Sequence, residues 1–230
     1  MAKLYFRYGA MNSAKSANLL MVAHNYRSQN KPVLLMKPSH DTRWDAISSR
    51  AIAEKGEALT FTDDDNLYEI IKEYHEKSRI YAVLLDEAQF ITGEQVLELA
   101  RVVDDLDIPV LCYGLKGRAA KGKLFTGSYG LLYWADTIEE IKNTCQYCNK
   151  KATQNLMILN DVPEYYPQEV VMADVDGDLR IIPVCRGHYL DPPISNKSKE
   201  GKTFNEQKSI QPQSNRKKMG GQMERKSGKP

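Results

Sequence analysis

The run Leu4-Tyr5-Phe6-Arg7-Tyr8-Gly9-Ala10-Met11-Asn12-Ser13-Ala14-Lys15-Ser16 decides the fold. Its first five residues suit a buried strand, and beyond it Leu19, Leu20, Val22 and Ala23 recur at helical spacing. Between strand and helix lies a glycine-to-lysine loop of the phosphate-binding kind (P-loop). In such a loop, backbone N–H groups and the helix N-terminus hold phosphates, the lysine reaches the β- and γ-phosphates, and the serine hydroxyl ligates Mg²⁺. Gly9, Lys15 and Ser16 fit that pattern; its second glycine is replaced by Ala14, whose methyl crowds a phosphate or strains the turn if the position needs a glycine-only conformation. The whole loop, Gly9, Ala10, Met11, Asn12, Ser13, Ala14, Lys15 and Ser16, is the candidate nucleotide cradle.

Three further apolar runs, Pro32 to Met36, Ile80 to Leu85 and Pro109 to Tyr113, alternate with two more helical patterns. These are Leu67, Ile70, Ile71 and Tyr74, then Val96, Leu99, Val102, Val103 and Leu106. Alternating strand and helix implies right-handed crossovers and an α/β fold with a largely parallel sheet covered on both faces. Asn66 and Thr92 are the expected N-caps of the second and third helices, and Pro109 marks entry to a strand. Past about Lys142 the helices fade, and strand-like pieces at Ala152–Leu159, Glu169–Met172 and Leu179–Pro183 stand among cysteines. The expected organisation is a nucleotide-binding α/β domain at 1–141, a small zinc-binding β domain at 142–190 and a disordered basic tail at 191–230, too poor in apolar residues to fold.

The strand Ile80–Leu85 ends in Asp86-Glu87. An acid at the carboxyl end of a strand beside a phosphate loop holds Mg²⁺, directly or through water. If the acceptor is an alcohol, Glu87 is the natural general base. Cys145-x-x-Cys148 and Cys185-x-x-His188 supply four ligands, which suits a closed tetrahedral zinc site of structural type. The fourth cysteine, Cys112, sits inside an apolar strand and reads as core, while His24, His40 and His75 read as exposed or helix-face residues.

The formal net charge is +2 over 230 residues, so the surface as a whole is not a nucleic-acid-binding field. No run approaches the length of a membrane span, and the start lacks the apolar core of a signal peptide. A cytoplasmic protein with reduced cysteines is expected.

Taken in order, GAMNSAKS, DTR, ISSR, LLDEAQF, IPVLCYGL, LFTGS, W-A-D-x-I-x-E-I-K-x-x-C-x-x-C and V-C-R-x-H-Y resemble the zinc-containing P-loop thymidine kinases of bacteria, their phages and animal cytosol, from about Lys3 to Tyr189. The resemblance implies ATP-dependent phosphorylation of the thymidine 5′-hydroxyl with Mg²⁺, a step of nucleoside salvage and DNA precursor synthesis. It gives Lys15, Ser16 and Asp86 the phosphate and metal roles and Glu87 that of base. It also sets Arg43, with Asp41 beside it, near the phosphates, and Met11, Gln89, Phe90, Phe125 and Val171 around the nucleoside. A lasso loop, Leu115 to Ser128, would close over the base. Homotetramers and feedback by thymidine triphosphate are implied on the same ground. Departures cluster at the lid: Ala14, a lasso without its central aromatic and one residue longer, a longer hairpin after Val170-Val171-Met172-Ala173, and Ile181 where tyrosine is common. They leave open a binding module without turnover or a kinase with shifted nucleoside preference, and the basic tail leaves open an ATPase acting on nucleic acid.

Overall fold

A computed structural model of the chain describes residues 1–39, 46–48, 55–120, 122–166 and 179–194, with backbone alone at 46–48 and 55–56. All lie in one compact unit, Met1–Ser195. Its elements are β1 (Leu4–Tyr8), α1 (Lys15–Arg27), β2 (Val33–Pro38), β3 (Ala46–Ser48), β4 (Lys55–Glu57), β5 (Leu59–Phe61), α2 (Leu67–Lys77) and β6 (Ala82–Leu85). There follow a 3₁₀ turn (Ala88–Phe90), α3 (Gly93–Leu106), β7 (Val110–Gly114), α4 (Thr126–Trp134), β8 (Thr137–Glu140), β9 (Gln154–Leu159), β10 (Val162–Glu164), β11 (Leu179–Val184) and α5 (Arg186–Leu190).

Six strands form one sheet in the order β5-β2-β6-β7-β1-β8, every pairing parallel. Side chains alternate between its faces. Leu4 and Phe6 of β1, Val83 and Leu85 of β6, and Val110 and Cys112 of β7 pack with Leu67, Ile71, Val96, Leu99, Val102 and Leu131 of α2, α3 and α4. The intervening Ala82, Leu84, Leu111 and Tyr113 pack with Leu19, Leu20 and Ala23 of α1. Burial on both faces is why these strands read as continuous apolar runs. The expected α/β class, parallel sheet and helical cover are therefore found. Asn66 caps α2 by accepting from the Glu69 N–H, and Thr92 forms a reciprocal capping box with Gln95, as its sequence position implied.

The second sheet, β10-β9-β11, is antiparallel and has its own cluster of Leu156, Ile158, Val184 and Tyr189 around the cysteines. A two-residue turn joins β9 to β10; both Asn160 and Asp161 have positive φ, 49° and 59°, the requirement of a tight hairpin. The expected strand at 169–172 lies outside the described residues, as does the tail from 195 onward.

The short strands β3 and β4, the 3₁₀ turn and α5 were not foreseen, nor were four further elements. Strands β5 and β8 flank the sheet, β10 closes the hairpin, and α4 occupies the end of the span read as a lasso, so that Thr126 to Ser128 are helical. Gly127 and Gly130 give α4 poor helix propensity, but packing demands them: a Cβ on Gly127 would stand 2.4 Å from the Ala88 carbonyl oxygen, and one on Gly130 3.1 Å from Val96. Close approach to the 3₁₀ turn and to α3 overrides the local preference.

Candidate active site

Three segments leave the sheet at its carboxyl edge: the phosphate loop after β1, Asp86-Glu87 after β6, and Leu115 after β7, the strand between them. The loop is anchored by the Gly9 N–H, which donates to the Gly114 carbonyl at 3.2 Å. Gly9 must lack a side chain, since a Cβ there would lie 2.2 Å from Ser13 Oγ and 2.7 Å from the Ile141 carbonyl. Asn12 and Ala14 both take left-handed backbone, with φ of 58° and 59°. The strain foreseen at Ala14 is thus present, while its exposed methyl is not wedged against protein. Lys15 Nζ donates to the Ala10 carbonyl at 2.9 Å and lies 3.5 Å from Ser13 Oγ, folded beneath the loop. Helix α1 begins with no side-chain cap and no acid in its first turn, so its first N–H groups and positive dipole end suit an anion.

Ser16 and Asp86 meet by a hydrogen bond from hydroxyl to carboxyl. Asp86 is only 6% exposed. Burial, then the neighbouring Glu87 charge, pushes its pKa up to about 7 against the opposing pull of Ser16, the Glu87 N–H and Lys15. Such an acid sheds its proton when a cation arrives. Glu87 has φ 51°, a strained conformation held by its surroundings. Gln89 Nε2 donates to Glu87 Oε2 at 2.5 Å, and Gln89 Oε1 accepts from the Leu115 N–H at 2.9 Å. The residue read as a pocket wall therefore has its amide engaged at both ends and is 2% exposed.

Phe90 and Phe125 meet edge to face with centroids 5.6 Å apart, and the Arg118 guanidinium lies 5.3 Å over the Phe125 ring. Arg118 Nε is buried without a hydrogen-bond partner among the described residues. The lasso is pinched by a Gly117–Leu124 bridge and held from the zinc side by the Tyr189 hydroxyl, which donates to the Ala119 carbonyl at 2.8 Å.

Two asparagines that sequence reasoning missed clamp the backbone of Met11. Its N–H donates to Asn155 Oδ1 at 2.8 Å, and its carbonyl accepts from Asn143 Nδ2 at 3.0 Å. Nothing in their spacing marks them out. A cavity of about 210 Å³ beside them is lined by Tyr8, Gly9, Ala10, Lys116, Gly117 and Asn155; Lys15, Asp86 and Glu87 are not among its walls, so it is not the reacting centre. Arg43, Asp41 and Val171 lie outside the described residues.

Cys145, Cys148, Cys185 and His188 converge, with their ligand atoms all within 4.8 Å of one another. The separations of 3.9 Å from Cys148 Sγ to Cys185 Sγ, and of 3.4 and 3.6 Å from His188 Nδ1 to the sulfurs of Cys145 and Cys185, suit a tetrahedron. Its S–S edge would be about 3.8 Å for zinc–sulfur bonds of about 2.3 Å. Burial opposes ionisation of Cys145, but N–H groups of Cys185 and Tyr147 and the His188 ring hold its thiol down at about 6, a donor ready for a cation. The quartet is compatible with structural zinc, and all four positions are protein ligands. Cys112, by contrast, is core: burial pushes its thiol up. Of the histidines, His75 lies on α2 as expected, with Nδ1 accepting from the Ile80 N–H at 3.4 Å.

A family model described as thymidine kinase matches residues 2–189. Among curated proteins, the thymidine kinase of Streptococcus agalactiae serotype Ia is 46% identical over 196 residues, covering 84% of this chain and 100% of the relative. That of Streptococcus pyogenes serotype M3 is 45% identical over the same extent. Among the described residues no helix is long and apolar enough to cross a membrane. With the phosphate loop, the acid pair and the cysteine–histidine quartet in place, the chain belongs to the thymidine kinase family.

Proposed function

We propose that the chain transfers the γ-phosphoryl group of ATP to the 5′-hydroxyl of thymidine. The observation that carries this is the convergence, at one sheet edge, of an uncapped helix N-terminus, Lys15 and the Ser16–Asp86 pair with a second carboxylate, Glu87, held beside them. The loop N–H groups and Lys15 hold the β- and γ-phosphates; Ser16 and Asp86 are the residues that would hold Mg²⁺, which when bound neutralises phosphate charge. Glu87 takes the proton of the 5′-hydroxyl as its oxygen bonds to the γ-phosphorus, and the β–γ bridging oxygen departs with ADP. Phe90 and Phe125 offer aromatic surface to the base, with Met11, Val171 and the lasso completing the pocket and Arg43 at the phosphates. The zinc quartet stiffens the β part that braces the lasso.

The separate clusters of the two sheets support a division near 141, and Ile194 packs against the second cluster, so the tail is drawn from 195. Cysteines fit for metal rather than disulfides support a cytoplasmic setting. Thymidine triphosphate, carrying both the base and the phosphates this site receives, is the expected feedback ligand. Exposed Tyr129, Tyr133 and Trp134 on α4 support homo-oligomerisation. Arg118 over Phe125 favours a second reading, a shifted base preference.

One assay tests the set: ADP release with Mg²⁺ and ATP, comparing thymidine, deoxyuridine, deoxycytidine and no nucleoside. Thymidine-dependent turnover lost in Glu87→Gln is the expected result. Absence of turnover with every nucleoside in folded, zinc-loaded protein refutes the reading, and preference for another base selects the second.

A further inference from the structure

The mechanism above uses Glu87 but not the residue that holds it. Gln89 sits on the 3₁₀ turn after β6, 2% exposed, where a buried amide must find partners for both its ends. Its Nε2 donates to Glu87 Oε2 and its Oε1 accepts from the N–H of Leu115, the first residue of the lasso. The surroundings are shaped to this amide. A Cβ on Gly114 would stand 2.8 Å from Gln89 Oε1, and one on Gly127 2.4 Å from the carbonyl of Ala88, the next residue back. Glu87 meanwhile keeps a left-handed backbone that its own preferences disfavour.

We propose that Gln89 is a positioning residue for phosphoryl transfer: its amide fixes the Glu87 carboxylate and ties it to the foot of the lid at Leu115. The bond from Nε2 to Oε2 fixes the rotation of the Glu87 carboxylate. An amide suits the task because it donates at every pH and never competes for the hydroxyl proton. Since Leu115 belongs to the lid, displacement of the lid at that point draws on the same amide and hence on the base. The inference rests on the reading of Glu87 as base.

Full-length, zinc-loaded Gln89→Leu, Gln89→Glu and Glu87→Gln are compared by steady-state kinetics. Gln89→Leu should lower kcat by about 10- to 100-fold, the size of one lost hydrogen bond to a charged group, while KM for thymidine changes little. Gln89→Glu keeps the acceptor for Leu115, and its introduced carboxyl donates only when protonated. Its activity relative to the parent protein should therefore fall as pH rises from about 6 to about 9, a trend that packing alone would not produce. A raised KM with unchanged kcat, or a pH-independent ratio, overturns the inference while Glu87→Gln remains inactive. Retained turnover in Glu87→Gln overturns the base itself and this inference with it. Should Gln89→Leu fail to fold, the near-isosteric Gln89→Glu profile decides.

Discussion

Replacing Ala14 with glycine should make the protein more stable. At φ 59° and ψ 32° an alanine bears the left-handed penalty of about 1–2 kcal/mol, which glycine escapes. The position is also the N-cap of α1, where alanine accepts nothing with its side chain and glycine is the better residue. Against this, glycine frees the unfolded chain by about 0.4–1 kcal/mol. No packing is lost, because the methyl is exposed. The balance is a gain of about 1 kcal/mol, or about 2–4 °C in Tm for a domain of this size. Ala14→Val should move the other way, its branched side chain being worse placed at positive φ. Thermal unfolding of zinc-loaded protein measures both, and titration with a fluorescent ATP analogue should show affinity for Ala14→Gly within about threefold of the parent. A lower Tm for Ala14→Gly refutes the assignment of strain to this residue.

Asp86 makes the nucleotide-free protein pH-sensitive. Its carboxyl ionises near 4 when unfolded but is held to about 7 when folded, so the folded state keeps a proton that the unfolded state has lost. Stability should be greatest below about pH 4 on this account and fall as pH rises to about 7; Asp86→Asn should flatten that fall, by on the order of a few kcal/mol at pH 8, in Tm-against-pH curves. An unchanged slope in the variant would show that Asp86 is not the group responsible. Metal analysis should find one zinc per chain, and Cys185→Ser should lose it together with several kcal/mol of stability, since the cluster beneath the quartet is small. Equal Tm with and without chelator would contradict a structural metal. Asn155→Ala should cost about 1–3 kcal/mol by leaving the Met11 N–H unpaired and should weaken ATP binding, as its Tm and nucleotide affinity will report.

The core of this fold was legible because parallel strands buried on both faces are apolar without interruption, and α2 and α3 carry both periodicity and caps. What escaped is what tertiary contact decides. Strand β8 reads as polar because it is an edge strand, with Ile138 and Glu139 exposed and Tyr5–Tyr8 supplying its only strand partner among the described residues. Helix α4 was hidden by glycines whose purpose, contact with Ala88 and Val96, exists only once the chain has folded. The site divides the same way. Gly9, Lys15, Ser16, Asp86, Glu87 and the cysteine–histidine quartet stand out in the sequence because the chemistry proposed for them requires those residue types at local spacing. Gln89, Asn143 and Asn155 act across the chain, from Glu87 to Leu115 and from Met11 to β9, and any buried amide would look the same in sequence. Ala14 shows the converse: the sequence marked the position as one that asks for glycine, and the backbone angle shows that the alanine bears the foreseen strain. Residues proposed to contact the reacting groups are thus constrained by chemistry, which a motif records, whereas those that hold them in place are constrained by geometry, which it does not.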